Sequence, residues 1–392
     1  MKLSLTKNSK TLLNFFIKNN CINHKNFTNK TKELLKVLYY QIKEADEHLL
    51  KINIKKQTKK TRIPIKPRTF NNGSFPDIII KHIYSNTYYE ISYNFYINER
   101  NITVYFILET YPSNEYDTYV KLIAQLMYIL NIYSNKTCSR NLNIFIYMTS
   151  QNKYLPENNF DILDTHNVNT AFTRTCMPDA EIVIYRKEEW FKVLIHESFH
   201  NFGLDFSDMD NTLCHSKILD IFKVNSKINL FEAYTEFWAE ILNSAFCSYI
   251  ILINKNNINE FIININFFIN FERSYSFFQL VKILNFMKLK YTDLYKQNNK
   301  YTENTNVLSY YIIKTILLHN FQDFLIWCKI NNTSLIQFNK TIESQLKLCD
   351  FIKEKYNSKL FIYNIEKSNK LLMKCNDKFL KNNMRMTITE LG

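Results

Sequence analysis

The sequence predicts an α+β fold: a small mixed β-sheet over about residues 70–185, then a helix carrying an HExxH motif, then a long, mostly helical C-terminal part. Three observations carry this. All six prolines lie between Pro64 and Pro178, and the only glycines are Gly73, Gly203 and Gly392. Residues 1–63 and 204–391 contain neither, so both ends lack the strongest helix breakers. Between them, short runs rich in Ile, Val, Tyr and Phe are bounded by Asn, Ser, Pro and Gly, which is the composition of strands.

Taken in order, strands are expected at Asp77 to Ile80, Tyr89 to Ile97, Ile102 to Leu108, Asn143 to Met148 and Glu181 to Tyr185, with a helix over Tyr116 to Tyr133. Three regions follow: a basic, helical N-terminal region and linker (1–69), a sheet with the motif-bearing helices (70–250) and a helical C-terminal region (251–392). The stretch Lys51 to Arg68 holds Lys51, Lys55, Lys56, Lys59, Lys60, Arg62, Lys66 and Arg68 with two prolines, and reads as an exposed basic linker. Nucleic-acid contact is a second reading of it, but no aromatic residues interleave with the charges.

Of 392 residues, 46% are hydrophobic and 22% charged, enough for a real core. The net charge of +14 favours acidic partners. It comes with heavy use of Lys, Asn and Ile, which reflects base composition as much as function. Eight scattered cysteines with no CxxC pair exclude a zinc ribbon and a redox dithiol, and read as reduced and intracellular. The basic start lacks a secretory core, and no apolar run approaches the roughly 18 residues of a membrane span. The chain is therefore expected to be neither secreted nor membrane-spanning.

The chemistry concentrates at His196-Glu197-Ser198-Phe199-His200. On a helix, positions i and i+4 share a face, so His196 and His200 can aim ring nitrogens at one metal ion. Glu197 sits beside that face and can take a proton from a water that the metal makes acidic. Chance yields HExxH in about 1 chain in 100 of this composition, so context matters. A strand-like run precedes the motif. Glu188 and Glu189 fall where a helix start favours negative charge. Trp190, Phe191, Val193, Leu194, Phe199 and Phe202 supply apolar faces, and Gly203 offers a stop.

The segment Val193 to Phe202 resembles the zincin metallopeptidases at every position of their extended helix pattern. Phe206 stands where a metzincin has its third histidine, which excludes that branch. The run Glu232-Ala233-Tyr234-Thr235-Glu236 is similar to the gluzincin pattern. That resemblance implies one Zn2+ per chain, held by His196, His200 and Glu232, with Glu197 as general base and Glu236 hydrogen-bonded to the far nitrogen of a histidine ligand. Glu236 replaces the family's Asp and is one methylene longer. Asp205, Asp208 and His215, in the intervening loop, are alternative third ligands. Glu232, Glu236 and Glu240 also fit an ordinary solvated face, although three like charges in line repel unless cations neutralise them.

The resemblance implies a polypeptide substrate, extended along the edge of strand Glu181 to Tyr185. It implies an oxyanion-stabilising group from the C-terminal part, for which Tyr275, Tyr310, Tyr311 and His319 are candidates. His24, His48, His82 and His166 stand alone and read as structural. The motif and composition together are similar to zinc peptidases attributed to large DNA viruses. The competing class is a non-peptidase zinc protein, such as a virion or nucleic-acid-associated component, in which four protein ligands would close the site.

Overall fold

The computed structural model describes residues 3–22, 24–61, 63–70, 73, 75–296 and 300–392. The fold is α+β. Its strands are β1 (Lys55–Lys60), β2 (Tyr89–Ile97), β3 (Arg100–Leu108), β4 (Asn141–Met148), β5 (Ala171–Thr173) and β6 (Asp179–Ile184). The first seven helices are α1 (Lys7–Lys18), α2 (Asn29–Leu49), α3 (Asp77–Asn86), α4 (Glu115–Tyr133), α5 (Thr165–Val168), α6 (Trp190–Asn201) and α7 (Thr212–Ile221). Then come α8 (Leu230–Ile250), α9 (Ile258–Phe286), α10 (Lys314–His319), α11 (Phe321–Asn331), α12 (Ile342–Lys355), α13 (Lys359–Lys374) and α14 (Lys378–Asn382).

The strands form one mixed sheet in the order β1-β2-β3-β4-β6-β5. The three inner strands β3, β4 and β6 run parallel, while β1, β2 and β5 join antiparallel. Alternation along the strands separates two apolar faces. Val104, Phe106, Ile144, Ile146, Ile182 and Ile184 enter the main core with α4 and α6. Ile107, Phe145, Tyr147, Val183 and Tyr185 enter a second core. The main core draws residues from the N-terminal helices, the sheet and the C-terminal helices alike, from Leu3 to Leu391.

Two expected elements differ. Asp77 to Ile80 is the first turn of α3 and not a strand. Ile79 and Ile83, four residues apart, are fully buried against the second core, whereas Ile78 is exposed. That is the helical period, and Pro76 with Asp77 marks its start. Lys51 to Arg68 is not simply a linker, because β1 lies inside it and pairs with β2. All six β1 residues are exposed, and lysines on such an edge discourage pairing with another chain. Lys56 also meets Asp117 at 2.7 Å. Arg62 of that basic run lies outside the described residues.

The edge of β6 is also not free. β5 pairs with it at Ile182, Val183 and Ile184, so the sheet ends at β5. Nor are all cysteines reduced: Cys138 and Cys176 form a disulfide. They are 38 residues apart in sequence and far from a CxxC spacing, which is why their pairing was invisible there. Among the described residues no helix is long and apolar enough to cross a membrane.

After α14 the chain runs extended and deeply buried. Glu189 accepts from the backbone N–H groups of Met386 and Thr387, and Glu272 accepts from those of Ile388 and Thr389. Arg385 is fully buried and pairs with Glu390 at 3.0 Å. This segment passes directly beside α6.

Candidate metal centre

Every residue of α6 is buried, as expected of a helix that is apolar on nearly all sides. Its start is not stabilised by acidic residues in the predicted way. Glu189 occupies the N-cap with φ +60° and makes no side-chain cap. Its carboxylate, like that of Glu188, is spent on Lys153 and the extended C-terminal segment. The end of α6 is the predicted stop. Gly203 has φ +65°, its N–H donates to His200 O, and Leu204 N–H donates to Phe199 O. This paired closure uses a left-handed residue, which glycine adopts without strain.

The α6 face carrying His196 and His200 packs against α8, whose first turn carries Glu232. Three ligand atoms converge there. His196 Nε2 lies 3.2 Å from His200 Nε2, and Glu232 Oε2 lies 3.1 Å and 3.4 Å from them respectively. Among the described residues this is the one group of His, Cys, Asp and Glu donors close enough to hold a metal ion.

The far nitrogens are also engaged. His196 Nδ1 is 2.9 Å from Glu236 Oε2, and His200 Nδ1 contacts Asp205 Oδ2. A carboxylate at Nδ1 keeps the proton there and leaves the Nε2 lone pair facing inward. Two lone pairs and a carboxylate oxygen then point at one another. That arrangement is stable only around a proton or a cation. Four ligands at zinc distances of about 2.0–2.1 Å stand about 3.3–3.4 Å apart at tetrahedral corners, and the observed separations match. The donors therefore fit zinc in both chemistry and spacing.

Burial alone would raise the Glu232 carboxyl, but the imidazoles of His200 and His196 hold it well below the ordinary carboxylate value. Glu232 also accepts from the Tyr310 hydroxyl at 3.0 Å and from Asn306 Nδ2 at 3.2 Å. Glu236 is held ionised against its burial by Lys192 and by the His196 contact. Lys314 lies 3.0 Å from Glu240 and 3.9 Å from Glu236. The Glu236 and Glu240 positions are thus a buried ladder in contact with lysines and not a solvated face.

Glu197 behaves differently. Its carboxylate has no hydrogen-bond partner among the described residues, and burial pushes its pKa up while the two imidazoles partly oppose this. It lines a small cavity of about 30 Å3 with His196, Val193, Thr170, Tyr310 and Met386.

The other candidates are elsewhere. Asp208 is at the surface with Lys340, and His215 Nδ1 accepts from Ile228 N–H. Tyr275 donates to Asn383 and Tyr311 to Met384 O, both within the core. His319 packs on Phe277 and Phe361, where burial lowers its pKa to about 3. Tyr310 alone of that group reaches the centre, from a π-helical turn at Leu308–Ile313 of the kind frequent at functional sites. The roles of Asp205 and Asn306 escaped sequence reading. Asp205, one of the alternative third ligands, stands instead behind His200, held by Ser207 and Thr235. Asn306 had no motif to mark it.

These positions predict graded effects. If the centre binds zinc, as its donors allow, Asp205→Ala and Glu236→Gln should each weaken that binding by about 10 to 100-fold in chelator competition. Asp208→Ala should leave it unchanged, and a loss there equal to the other two would contradict this geometry.

No protein-family model and no solved structure matches the chain. An uncharacterized protein of Acanthamoeba polyphaga mimivirus is similar to it, with 27% identity over 183 residues, 44% of this chain. The match spans about half, 46%, of that relative's length.

Proposed function

We propose that the chain is a zinc-dependent peptidase of gluzincin-like character, with His196, His200 and Glu232 as metal ligands and Glu197 as general base. The observation that carries this reading is the position of Glu197. It is an unpaired carboxylate facing a cavity beside three converging ligand atoms. Zinc held there would polarise a peptide carbonyl and make a water acidic enough to attack near neutral pH. Glu197 accepts the proton of the attacking water and later passes it to the leaving amine nitrogen. Glu236 and Asp205 keep both imidazoles in the ligating tautomer and orientation. Tyr310, whose ring centroid lies 5.7 Å from that of His196, is the group best placed to donate to a developing oxyanion.

The substrate strand is reassigned to β5, the sheet edge whose Ala171 and preceding Thr170 line the same cavity. A structural zinc site would close with four protein ligands. Here the fourth nearby carboxylate, Asp205, is turned to His200 Nδ1, which favours the hydrolase over the binding-protein reading.

The test is metal analysis paired with digestion of a mixed peptide library. About one zinc per chain is expected, with cleavage abolished by chelation and by His196→Ala. Cleavage that survives in metal-free protein would refute the proposal, as would zinc-loaded protein that cleaves nothing.

A further inference from the structure

We infer that Cys214 and Cys349 are a second disulfide site, strapping α7 to α12. The two Sγ atoms are 3.3 Å apart, although 135 residues separate them in sequence. A disulfide holds its sulfurs about 2.05 Å apart, so closure needs these two to approach by about 1.2 Å. Both are buried, at 1% and 2% exposure, on the contact face of two surface helices: Cys214 shares its face with Ile218 and Ile221, and Cys349 shares its face with Leu348 and Ile352. The other free cysteines among the described residues are Cys21, Cys247, Cys328 and Cys375. The chain already carries Cys138–Cys176, so surroundings that oxidise that pair would act on this one too.

The reaction needs a small-molecule disulfide, such as oxidised glutathione, as electron acceptor. One cysteine thiolate attacks it, forming a mixed disulfide and releasing one glutathione thiol. The second cysteine then attacks the protein sulfur of that mixed disulfide and releases the other. Two S–H bonds become one S–S bond, and both protons and both electrons pass to glutathione. The contact with Cys349, together with burial, keeps the Cys214 thiol protonated, so exchange starts when the ten-residue α7 opens.

The location gives the strap a purpose. Residues 203–229 connect the two helices that bear the candidate ligands. A side chain at Gly203 would meet Cys176 Cβ at 3.4 Å and Cys138 Sγ at 3.6 Å, so that disulfide lies beside one end of the connection. Cys214 would fasten its middle, and the neighbouring His215 holds Ile228 just before α8. The inference does not depend on the peptidase reading.

The experiment incubates the full chain with excess oxidised glutathione, acid-quenches it, alkylates it in denaturant and maps its peptides by mass spectrometry. A linked Cys214–Cys349 peptide pair is expected, with Cys21, Cys247, Cys328 and Cys375 alkylated. In Cys349→Ser, Cys214 should be alkylated instead. Full alkylation of Cys214 and Cys349 would overturn the inference whatever the state of Cys138–Cys176. So would a stable glutathione adduct on either cysteine, or a bond from either to another cysteine.

Discussion

On the proposed zinc-peptidase reading, Glu197→Gln is expected to keep zinc and fold while turnover of a cleaved peptide falls by about 100 to 10,000-fold. Gln has nearly the same size and cannot accept a proton at its amide. The wild-type carboxylate has no hydrogen-bond partner among the described residues, so the change breaks no network and stability should move little. Measuring zinc content, melting temperature and kcat on one preparation separates the possibilities. If Glu197 were only a buried structural carboxylate, the neutral amide would shift stability and leave catalysis alone. Undiminished kcat in zinc-loaded Glu197→Gln would remove the role assigned to it.

Glu232→Ala is expected to have the largest effect on metal. Apparent binding free energies of about 10–16 kcal/mol shared among four ligands give about 3 kcal/mol for each, or on the order of 100 to 1,000-fold in affinity. The substitution also leaves the Tyr310 hydroxyl and the Asn306 amide without their acceptor. Zinc affinity should therefore fall further than in Asp205→Ala or Glu236→Gln. If Glu232→Ala kept wild-type affinity while Asp205→Ala stripped the metal, the third ligand would have to be Asp205.

The parts of this molecule that were legible in the sequence are those written in local pattern. Alternating Ile, Tyr and Phe located β2, β3, β4 and β6 to within two residues at either end, and Gly203 marked the end of α6. The spacing of His196 and His200 put both rings on one face, and the Glu232–Glu236 pair, one turn apart, fell opposite them. Local pattern misled where two periods overlap. Three consecutive isoleucines after Pro76 suit a strand as well as a helix, and only the burial of Ile79 with Ile83 decides it. The lysines of β1 hid a strand because an edge needs no apolar alternation. What no local pattern contains is pairing over distance. Lys192 and Lys314 meet Glu236 and Glu240, Asp205 orients His200, and Cys138 finds Cys176, each through contacts that exist only after the chain has folded.

The extended segment after α14 bears on the order in which the molecule assembles. Glu189, at the head of the helix that carries two of the candidate ligands, accepts from the N–H of a residue 197 positions further on, and Met386 walls the cavity beside His196. Local helices and the sheet can form early, but this closure carries the loop entropy of half the chain and belongs to a late step. Until it happens, the Glu189 carboxylate lacks its two backbone donors and one side of the cavity is missing. The ligand triad can therefore be complete in sequence and in local geometry while the chamber around it is still open to water. Catalytic competence would then trail metal binding in time during refolding.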